Sequence, residues 1–178
     1  NHKYDTGDYM QVDEGFGGDT ALSELLKECK KRDMHVILDG VFNHVGEDSI
    51  YFNKFGKYDS LGAFQSKESK YYSWFNFYSF PDDYDSWWGI KNLPKVNKIP
   101  AFKNFICKDV IKKYMNMGIS GWRLDVADEL DGSFLKQITK SAKESKKDAV
   151  VIGEVWEDAS CKSAYGESKH YFDDDRLD

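Results

Sequence analysis

The chain has 178 residues, enough for one domain with a buried core, and a net charge of −6. This negative charge argues against nucleic acid and anionic membrane surfaces as partners. No apolar run is long enough to span a membrane. The three cysteines, Cys29, Cys107 and Cys161, show no CxxC spacing, so neither a disulfide framework nor a zinc site is predicted. Their odd number favours a reducing, cytoplasmic compartment, and nothing else in the sequence indicates localisation.

The chain begins with a polar segment followed by a helix. Residues 1–9 are turn-like and are interpreted as a loop in which Tyr4 can face a ligand. Asp19 or Thr20 is predicted to cap a helix, because apolar residues follow at helical spacing and lysines lie near its end. A solvated loop is the alternative interpretation of residues 1–9.

The run from His35 to Phe42 predicts a buried strand that contains Asp39 near its end. His44 follows two residues after this strand. A histidine in this position is more commonly a structural hydrogen-bonding residue, but its place beside a strand-end carboxylate makes it a candidate ligand-binding residue. The sequence contains neither HxH nor HExxH spacing, so no metal site is predicted.

The segment of residues 46–100 is much longer than the usual connection between a strand and a helix. The segment is rich in aromatic residues, whereas linkers are poor in them. The sequence therefore predicts an inserted subdomain. We expect most of its aromatic side chains to pack inside it and a minority to contact ligand.

The remainder of the chain predicts a β-α-β unit preceded by a helix. Residues 101–117 carry an apolar stripe at helical spacing. Two buried-type strands follow, at residues 121–127 and 149–156, and a helix that starts at Asp131 or Ser133 lies between them. The two strands are therefore expected to be parallel neighbours.

Three predicted strands end in or near a carboxylate: Asp39, Asp125 and Glu154. Since the carboxyl ends of parallel strands meet at one face of a sheet or barrel, these side chains are expected to form one site. Arg123 is two residues before Asp125 and points to the same side of its strand. This predicts that Arg123 lowers the pKa of Asp125, and that the apolar residues around Glu154 raise its pKa.

Two carboxyl groups with separated pKa values are typical of glycoside hydrolysis, in which one acts as nucleophile and the other as proton donor. The alternative is a salt-bridged strand end and an ordinary surface glutamate, because structural ion pairs produce the same pattern. The polar tail, residues 157–178, is interpreted as a solvated loop. Calcium binding by its acidic run, residues 173–175, is the alternative, although the EF-hand spacing is absent.

Five stretches of the chain resemble, in the right order, conserved segments of the alpha-amylase family, glycoside hydrolase family 13. Leu93–Asn97 has the form found in the neopullulanase, cyclomaltodextrinase and maltogenic amylase group. The stretches are Asn1–Tyr9 (the loop after the second barrel strand), Asp39–His44 (first motif), Leu93–Asn97 (extra B-domain motif), Gly121–Glu129 (second motif) and Gly153–Trp156 (third motif).

The resemblance implies a retaining, double-displacement reaction on α-glucans. Asp125 would be the nucleophile, Glu154 the general acid/base, and Arg123 the residue that orients and ionises Asp125. The implied substrates are starch, maltooligosaccharides, cyclodextrins or pullulan, cut at α-1,4 and also at α-1,6 bonds, by hydrolysis or transglycosylation. No cofactor is required, and a structural calcium ion is compatible with the resemblance.

The resemblance also implies five substrate-binding residues. His44 would hydrogen-bond the sugar before the cut, and Tyr4 would stack on a sugar ring. Asp39 would support the site from behind, and Trp156 and Glu129 would lie on the leaving-group side. The chain differs from the group at Asp128, where the group usually has Asn. This difference bears on the leaving-group side, where Trp156 and Glu129 would lie.

The implied fold is part of an α/β (β/α)8 TIM barrel with a B-domain-like insertion after the third barrel strand. Residues 1–45 and 101–178 would form the barrel part, and residues 46–100 the insertion. The family's fourth motif, which supplies the third catalytic carboxylate, has no counterpart in the sequence. The chain is therefore expected to need the remaining half of the barrel and accessory domains of a parent enzyme, for which a homodimer is an option, and to be inactive alone.

Two other functions stay open. A non-catalytic carbohydrate-binding or assembly relative with the same barrel would be expected to lack the nucleophile or the acid, and Asp125 and Glu154 are both present. A magnesium-dependent α/β enzyme would use the three strand-end carboxylates as ligands. Arg123 argues against this, since a guanidinium beside Asp125 competes with a metal ion.

Overall fold

The computed structural model describes residues 3–156, 158–173 and 176–178. The chain divides into two compact units. The sheet unit comprises residues 10–40 and 103–178, and the aromatic unit comprises residues 1–9 and 41–102. The division at residues 46 and 100 that the sequence indicates stays a prediction.

The described residues form four α-helices and seven strands. The helices are α1 Gly18–Lys31, α2 Pro100–Phe105, α3 Lys112–Met117 and α4 Gly132–Ser145. The strands are β1 Ile37–Gly40, β2 Phe77–Ser79, β3 Asp83–Tyr84, β4 Gly121–Leu124, β5 Val150–Gly153, β6 Ser163–Ala164 and β7 Glu167–Ser168. None of the helices in these ranges is both long enough and apolar enough to cross a membrane.

The sheet unit is built on three parallel strands in the order β1-β4-β5. Asp39 of β1 pairs with Arg123 of β4, and Arg123 pairs with Ile152 of β5. The predicted parallel strands with an intervening helix are thus confirmed, although all three strands are shorter than the predicted runs and β1 and β5 are partly exposed rather than buried. The register brings the carboxyl ends of all three strands to the same level, which is the condition for a shared site.

Gly121 allows β4 and β5 to pair closely. A Cβ atom on this residue would lie 1.9 Å from the carbonyl oxygen of Val150, its partner on β5. Such a contact is far inside the van der Waals limit, so a side chain at this position would force the two strands apart. The close pairing of β4 and β5 therefore explains why Gly121 occupies the first position of the stretch Gly121–Glu129.

Helix α4 begins as predicted, and helix α1 does not. Asp131 caps α4, because its Oδ1 accepts a hydrogen bond from the Phe134 N–H at 3.0 Å. Helix α1 starts at Gly18 after an N-cap at Gly17, so the predicted cap by Asp19 or Thr20 is wrong. Asp19 instead accepts hydrogen bonds from the Val12 N–H at 3.0 Å and Lys113 Nζ at 2.5 Å. Its carboxylate is used in tertiary contacts rather than in capping.

The predicted helix over residues 101–117 is observed as α2 and α3 joined by a π-helical segment, Ile106–Ile111. Four residues of its apolar stripe, Ile106, Val110, Ile111 and Tyr114, are buried as expected. Gly118 ends the helix in the left-handed conformation.

The aromatic unit is held together mainly by ring contacts. Phe52 is fully buried, and its ring centroid lies 4.7 Å from that of Tyr84 and 5.0 Å from that of Phe75. Tyr51 stacks on Trp74 at 5.3 Å. These buried rings form the core of the aromatic unit, so they are not available to a ligand.

Candidate active site

The strand ends of the sheet unit place three carboxylates next to one another. Asp125 directly follows β4, and its N–H donates to the Gly40 carbonyl at the end of β1, at 3.1 Å. Glu154 directly follows β5, and its N–H donates to the Leu124 carbonyl at 2.9 Å. These backbone bonds extend the sheet by one residue and fix both Cα positions. The predicted clustering at the carboxyl edge is observed.

A single guanidinium group, that of Arg123, binds all three carboxylates. Its Nη1 donates to Asp39 Oδ1 at 2.7 Å and to Asp125 Oδ1 at 2.9 Å. Its Nη2 lies 2.9 Å from Glu154 Oε2. Burial alone would lower the pKa of Arg123, but the bonds to Asp39 and Asp125 and the charge of Glu154 raise it. The guanidinium is therefore a permanent cation at the centre of the cluster.

Asp125 does not have the lowered pKa that the sequence indicates. Burial raises its pKa to about 6, and the hydrogen bond and charge of Arg123 only partly oppose this effect. The negative charges of Glu154 and Asp39 raise it further. The expectation failed because Asp125 is only 6% exposed, and desolvation of a buried carboxylate outweighs its one cationic neighbour, which is shared with two other carboxylates.

Glu154 also differs from the expectation, since its pKa is lowered rather than raised. Burial raises the pKa, but hydrogen bonds from the Val126 N–H and the Trp156 side chain, together with the charge of Arg123, outweigh it. A hydrogen bond with the Asp125 carboxyl acts in the same direction. The apolar neighbours in the sequence do not surround the carboxyl group, whose side chain is 32% exposed.

Val126 has a backbone conformation that is unusual for a β-branched residue. Its φ of 46° and ψ of 52° lie in the left-handed region, where such residues are rare and strained. This conformation directs its N–H to Glu154 Oε2 at 3.0 Å. The strain therefore accompanies a direct bond between the loop that carries Asp125 and the carboxylate of Glu154.

The pKa values of the pair give a testable expectation for a parent enzyme. Asp125 and Glu154 together hold one proton between the lowered pKa of Glu154 and about pH 6. If Glu154 donates that proton in a parent enzyme, we expect kcat/KM on a maltooligosaccharide to decline above about pH 6. We expect this alkaline limb to be absent with α-maltosyl fluoride, because fluoride leaves without needing a proton. Equal limbs with both substrates would contradict the assignment.

The geometry agrees with the comparisons to known proteins. The family model "Alpha amylase, catalytic domain" matches residues 1–174. This chain belongs to the alpha-amylase family. It is 38% identical over 181 residues to an amylopullulanase from Thermoanaerobacterium saccharolyticum, covering 90% of this chain and 14% of that protein. It is 35% identical over 168 residues to neopullulanase 2 from Thermoactinomyces vulgaris, covering 90% of this chain and 27% of that protein.

Solved structures of the alpha-amylase family show the same fold. The debranching enzyme from Nostoc punctiforme has a TM-score of 0.78 and 33% sequence identity, covering 90% of this chain and 35% of that one. The expected family and group are confirmed. The chain spans 14% and 27% of the two curated relatives named above, so it corresponds to one part of those proteins.

Within the alpha-amylase motifs of this chain, Asp128 binds residues that follow Glu154. Its Oδ2 accepts from the Trp156 N–H at 3.2 Å and from Lys162 Nζ at 2.7 Å, and its Oδ1 accepts from the Tyr171 hydroxyl. Burial raises the pKa of Asp128, but these bonds outweigh burial and lower it. The group usually has Asn at this position. The buried carboxylate of Asp128 is tolerated here because the charge of Lys162 neutralises it.

Glu129 and Trp156 lie on the loops that leave β4 and β5. Glu129 accepts a hydrogen bond from the Tyr165 hydroxyl at 3.2 Å. Trp156 is 42% exposed. Sequence reasoning did not find Lys162, Tyr165 or Tyr171, because a polar tail without periodicity gives no signal of which residues return to the strand ends.

His44 and Tyr4 belong to the aromatic unit. His44 is buried, its Nε2 lies 3.0 Å from the Tyr4 carbonyl oxygen, and its ring stacks on Trp87 at 5.2 Å. Tyr4 therefore contacts His44 through its backbone and keeps a partly exposed ring. Their roles in sugar binding stay predictions.

The calcium alternative rests partly on residues that are not described. Asp173 lies 3.2 Å from His170 Nδ1. Asp174 and Asp175 lie outside the described residues. No group of three or more His, Cys, Asp or Glu side chains suited to a metal ion occurs in the described ranges.

Proposed function

We propose that this chain is part of the catalytic domain of a larger parent enzyme, a retaining glycosidase that cleaves or transfers α-glucosidic bonds. The observation that carries the proposal is the binding of Asp39, Asp125 and Glu154 by the single guanidinium of Arg123. Two carboxylates at the ends of adjacent parallel strands, with a fixed cation between them, have the arrangement that double displacement needs.

In the first step, a carboxylate oxygen of Asp125 attacks the anomeric carbon. Glu154 gives its proton to the glycosidic oxygen as the bond to the leaving group breaks, and a glycosyl ester forms at Asp125. In the second step, Glu154 takes a proton from water, the water oxygen attacks the anomeric carbon, and the ester bond breaks. A sugar hydroxyl in place of water gives transglycosylation.

The resting pair starts with its proton mainly on Asp125, because the pKa of Asp125 is about 6 and that of Glu154 is lowered. That proton must move to Glu154 before it can be given to the leaving group. Arg123 stabilises the Asp125 carboxylate that remains, and it also binds Glu154. Substrate binding at Asp125 would select the productive form.

The binding of both carboxyl groups to one guanidinium supports retention over inversion. Inverting enzymes hold their carboxyls roughly 6.5–9.5 Å apart so that a water molecule fits between carboxylate and sugar, whereas retaining enzymes hold them roughly 5–5.5 Å apart. Asp125 Oδ1 lies 2.9 Å from Nη1 of Arg123, and Glu154 Oε2 lies 2.9 Å from Nη2 of the same guanidinium. Because both carboxyl groups bind one small cation, they fit the shorter separation of a retaining enzyme.

The guanidinium also weakens the magnesium-dependent alternative. The three carboxylates that would bind the metal ion already bind Arg123, and a dication in the same space would be repelled by this permanent charge. The non-catalytic alternative gains no support from the sheet unit, because the nucleophile, the acid and the arginine are all present and in contact.

The finer assignments are proposed as follows. The substrates are α-glucans with α-1,4 bonds, and α-1,6 bonds are a second target, as suggested by relatives named amylopullulanase and neopullulanase. Residues 46–100 form the B-domain-like insertion, and residues 1–45 and 101–178 belong to the barrel. Asp39 supports the site through Arg123. His44 and Tyr4 are proposed to bind sugar on the resemblance alone.

The proposal is tested with the parent enzyme on maltotriose, γ-cyclodextrin and pullulan, with the first products followed by proton NMR. We expect turnover of at least one of them and initial products in the α configuration, since two successive displacements at one carbon retain its configuration. Initial β products would show inversion and contradict the role of Asp125. Turnover that is lost on chelation would favour the metal-dependent alternative.

A further inference from the structure

A small hairpin follows Glu154 in the chain and places an unusual residue at its turn. Strands β6 and β7 pair through Ala164 and Glu167, so the turn consists of Tyr165 and Gly166. Both turn residues have positive φ, 55° and 78°. Hairpin turns of this kind favour Asn or Gly at the first position, because other side chains are strained there. A tyrosine in this position is therefore costly for the fold, and strained residues of this kind cluster at functional sites.

The hairpin is fixed to the two loops that carry the candidate catalytic residues. Lys162, directly before β6, donates to Asp128 on the β4 loop and to the Trp156 carbonyl on the β5 loop. Tyr171, three residues after β7, also donates to Asp128. The base of the hairpin is thus bound on both sides to one buried carboxylate.

The fixed hairpin presents the Tyr165 ring beside Glu129 and Lys169, and Lys169 Nζ lies 5.9 Å from the ring centroid. The Tyr165 hydroxyl donates to Glu129 Oε1 at 3.2 Å, yet the residue remains 65% exposed. Trp156, tied to the same Asp128 through its N–H, is also partly exposed. Exposed flat rings next to a carboxylate suit a sugar, whose C–H faces contact rings and whose hydroxyls donate to carboxylates.

The chain order indicates which sugar this is. The general acid must contact the oxygen of the leaving group, so the loop that continues from Glu154 lies on the leaving-group side. We propose that Tyr165 is a binding residue for the α-glucosyl unit on the leaving-group side, and for the acceptor sugar during transfer. This proposal rests on the proposed function, and it adds a residue outside every stretch that resembles a family motif.

The test compares a substrate that has a leaving-group sugar with one that lacks it. Kinetics of the parent enzyme and of Tyr165→Ala are measured with maltotetraose and with α-maltosyl fluoride. We expect the variant to lose about tenfold in kcat/KM on maltotetraose, which corresponds to about 1.4 kcal/mol of lost ring contact. We expect no change on the fluoride, since it places no sugar beside Tyr165. Transfer to added glucose should decline relative to hydrolysis.

Two further variants keep the result specific. Tyr165→Phe retains the ring and loses only the bond to Glu129, so it should remain within about twofold of the parent enzyme on maltotetraose, because the ring supplies most of the contact. Tyr78→Ala removes a tyrosine that is similarly exposed but belongs to the aromatic unit, and it should leave kcat/KM unchanged on both substrates.

The outcomes separate this inference from the proposed function. Selective loss on maltotetraose supports the role of Tyr165. An unchanged Tyr165→Ala variant, or an equal loss on both substrates, overturns that role while the parent enzyme's activity upholds the proposed function. A parent enzyme that hydrolyses neither substrate overturns both.

Discussion

Replacing Asp125 with Asn should lower kcat/KM of the parent enzyme on maltotriose by about 10⁴-fold or more. Asparagine has nearly the same shape and keeps an oxygen for Arg123, but it cannot form the glycosyl ester. The loss should be similar with α-maltosyl fluoride, because both substrates need the nucleophile. Initial rates with each substrate measure it. A residual rate within about tenfold of the parent enzyme would assign the nucleophile to another group.

The stability of Asp125→Asn provides the folding control. The pKa of Asp125 is raised from 3.8 to about 6, so its ionisation opposes folding. The stabilising effect of the protonated form is fully present below about pH 4 and is lost as pH rises through about 6. Asparagine has no charge to desolvate, so at pH 7 the variant should unfold no more readily than the parent enzyme. Thermal unfolding of both proteins at pH 4 and pH 7 tests whether the stability of the variant relative to the parent enzyme increases with pH.

Replacing Glu154 with Ala should lower kcat/KM on maltotriose by about 10³-fold through loss of the general acid. The first step with α-maltosyl fluoride should persist, because fluoride needs no proton. The glycosyl-enzyme would then accumulate, since no base remains to activate water. Added azide should restore turnover and yield α-maltosyl azide by attack on the ester at Asp125.

The configuration of the azide product distinguishes the two carboxylates. An α azide shows that the remaining residue is the nucleophile and that Glu154 is the acid/base. A β azide from Glu154→Ala would mean direct displacement of fluoride, and it would identify Glu154 as the nucleophile. Glu129→Gln is a suitable comparison, because it alters a carboxylate on the neighbouring loop that is outside the Arg123 cluster.

The placement of the carboxylates was predictable because it depends on local sequence. Apolar runs that end in Asp or Glu, separated by an amphipathic helix, predict parallel strands whose ends meet. The cap of α4 by Asp131 follows from the same local rules. The cap of α1 failed because Asp19 is bound by Lys113, a residue far along the chain that no local pattern connects to it.

The pKa values of the site were not predictable, because they depend on three-dimensional surroundings. The neighbours of Asp125 in the sequence show a cation two residues away but not the burial that outweighs it. The neighbours of Glu154 are apolar, yet its carboxyl group receives the Val126 N–H through a left-handed turn. The hairpin with Tyr165 was missed for a related reason, since its contacts to Glu129 and Asp128 join distant parts of the chain.

The central claim is that Asp125 forms a covalent intermediate, and trapping that intermediate tests it most directly. The parent enzyme is incubated with 5-fluoro-α-glucosyl fluoride, digested with a protease, and analysed by mass spectrometry for the labelled peptide. The account predicts one sugar label, on Asp125, that is absent from Asp125→Asn. A label on another carboxylate, or no label from an enzyme that turns over maltotriose, would contradict it.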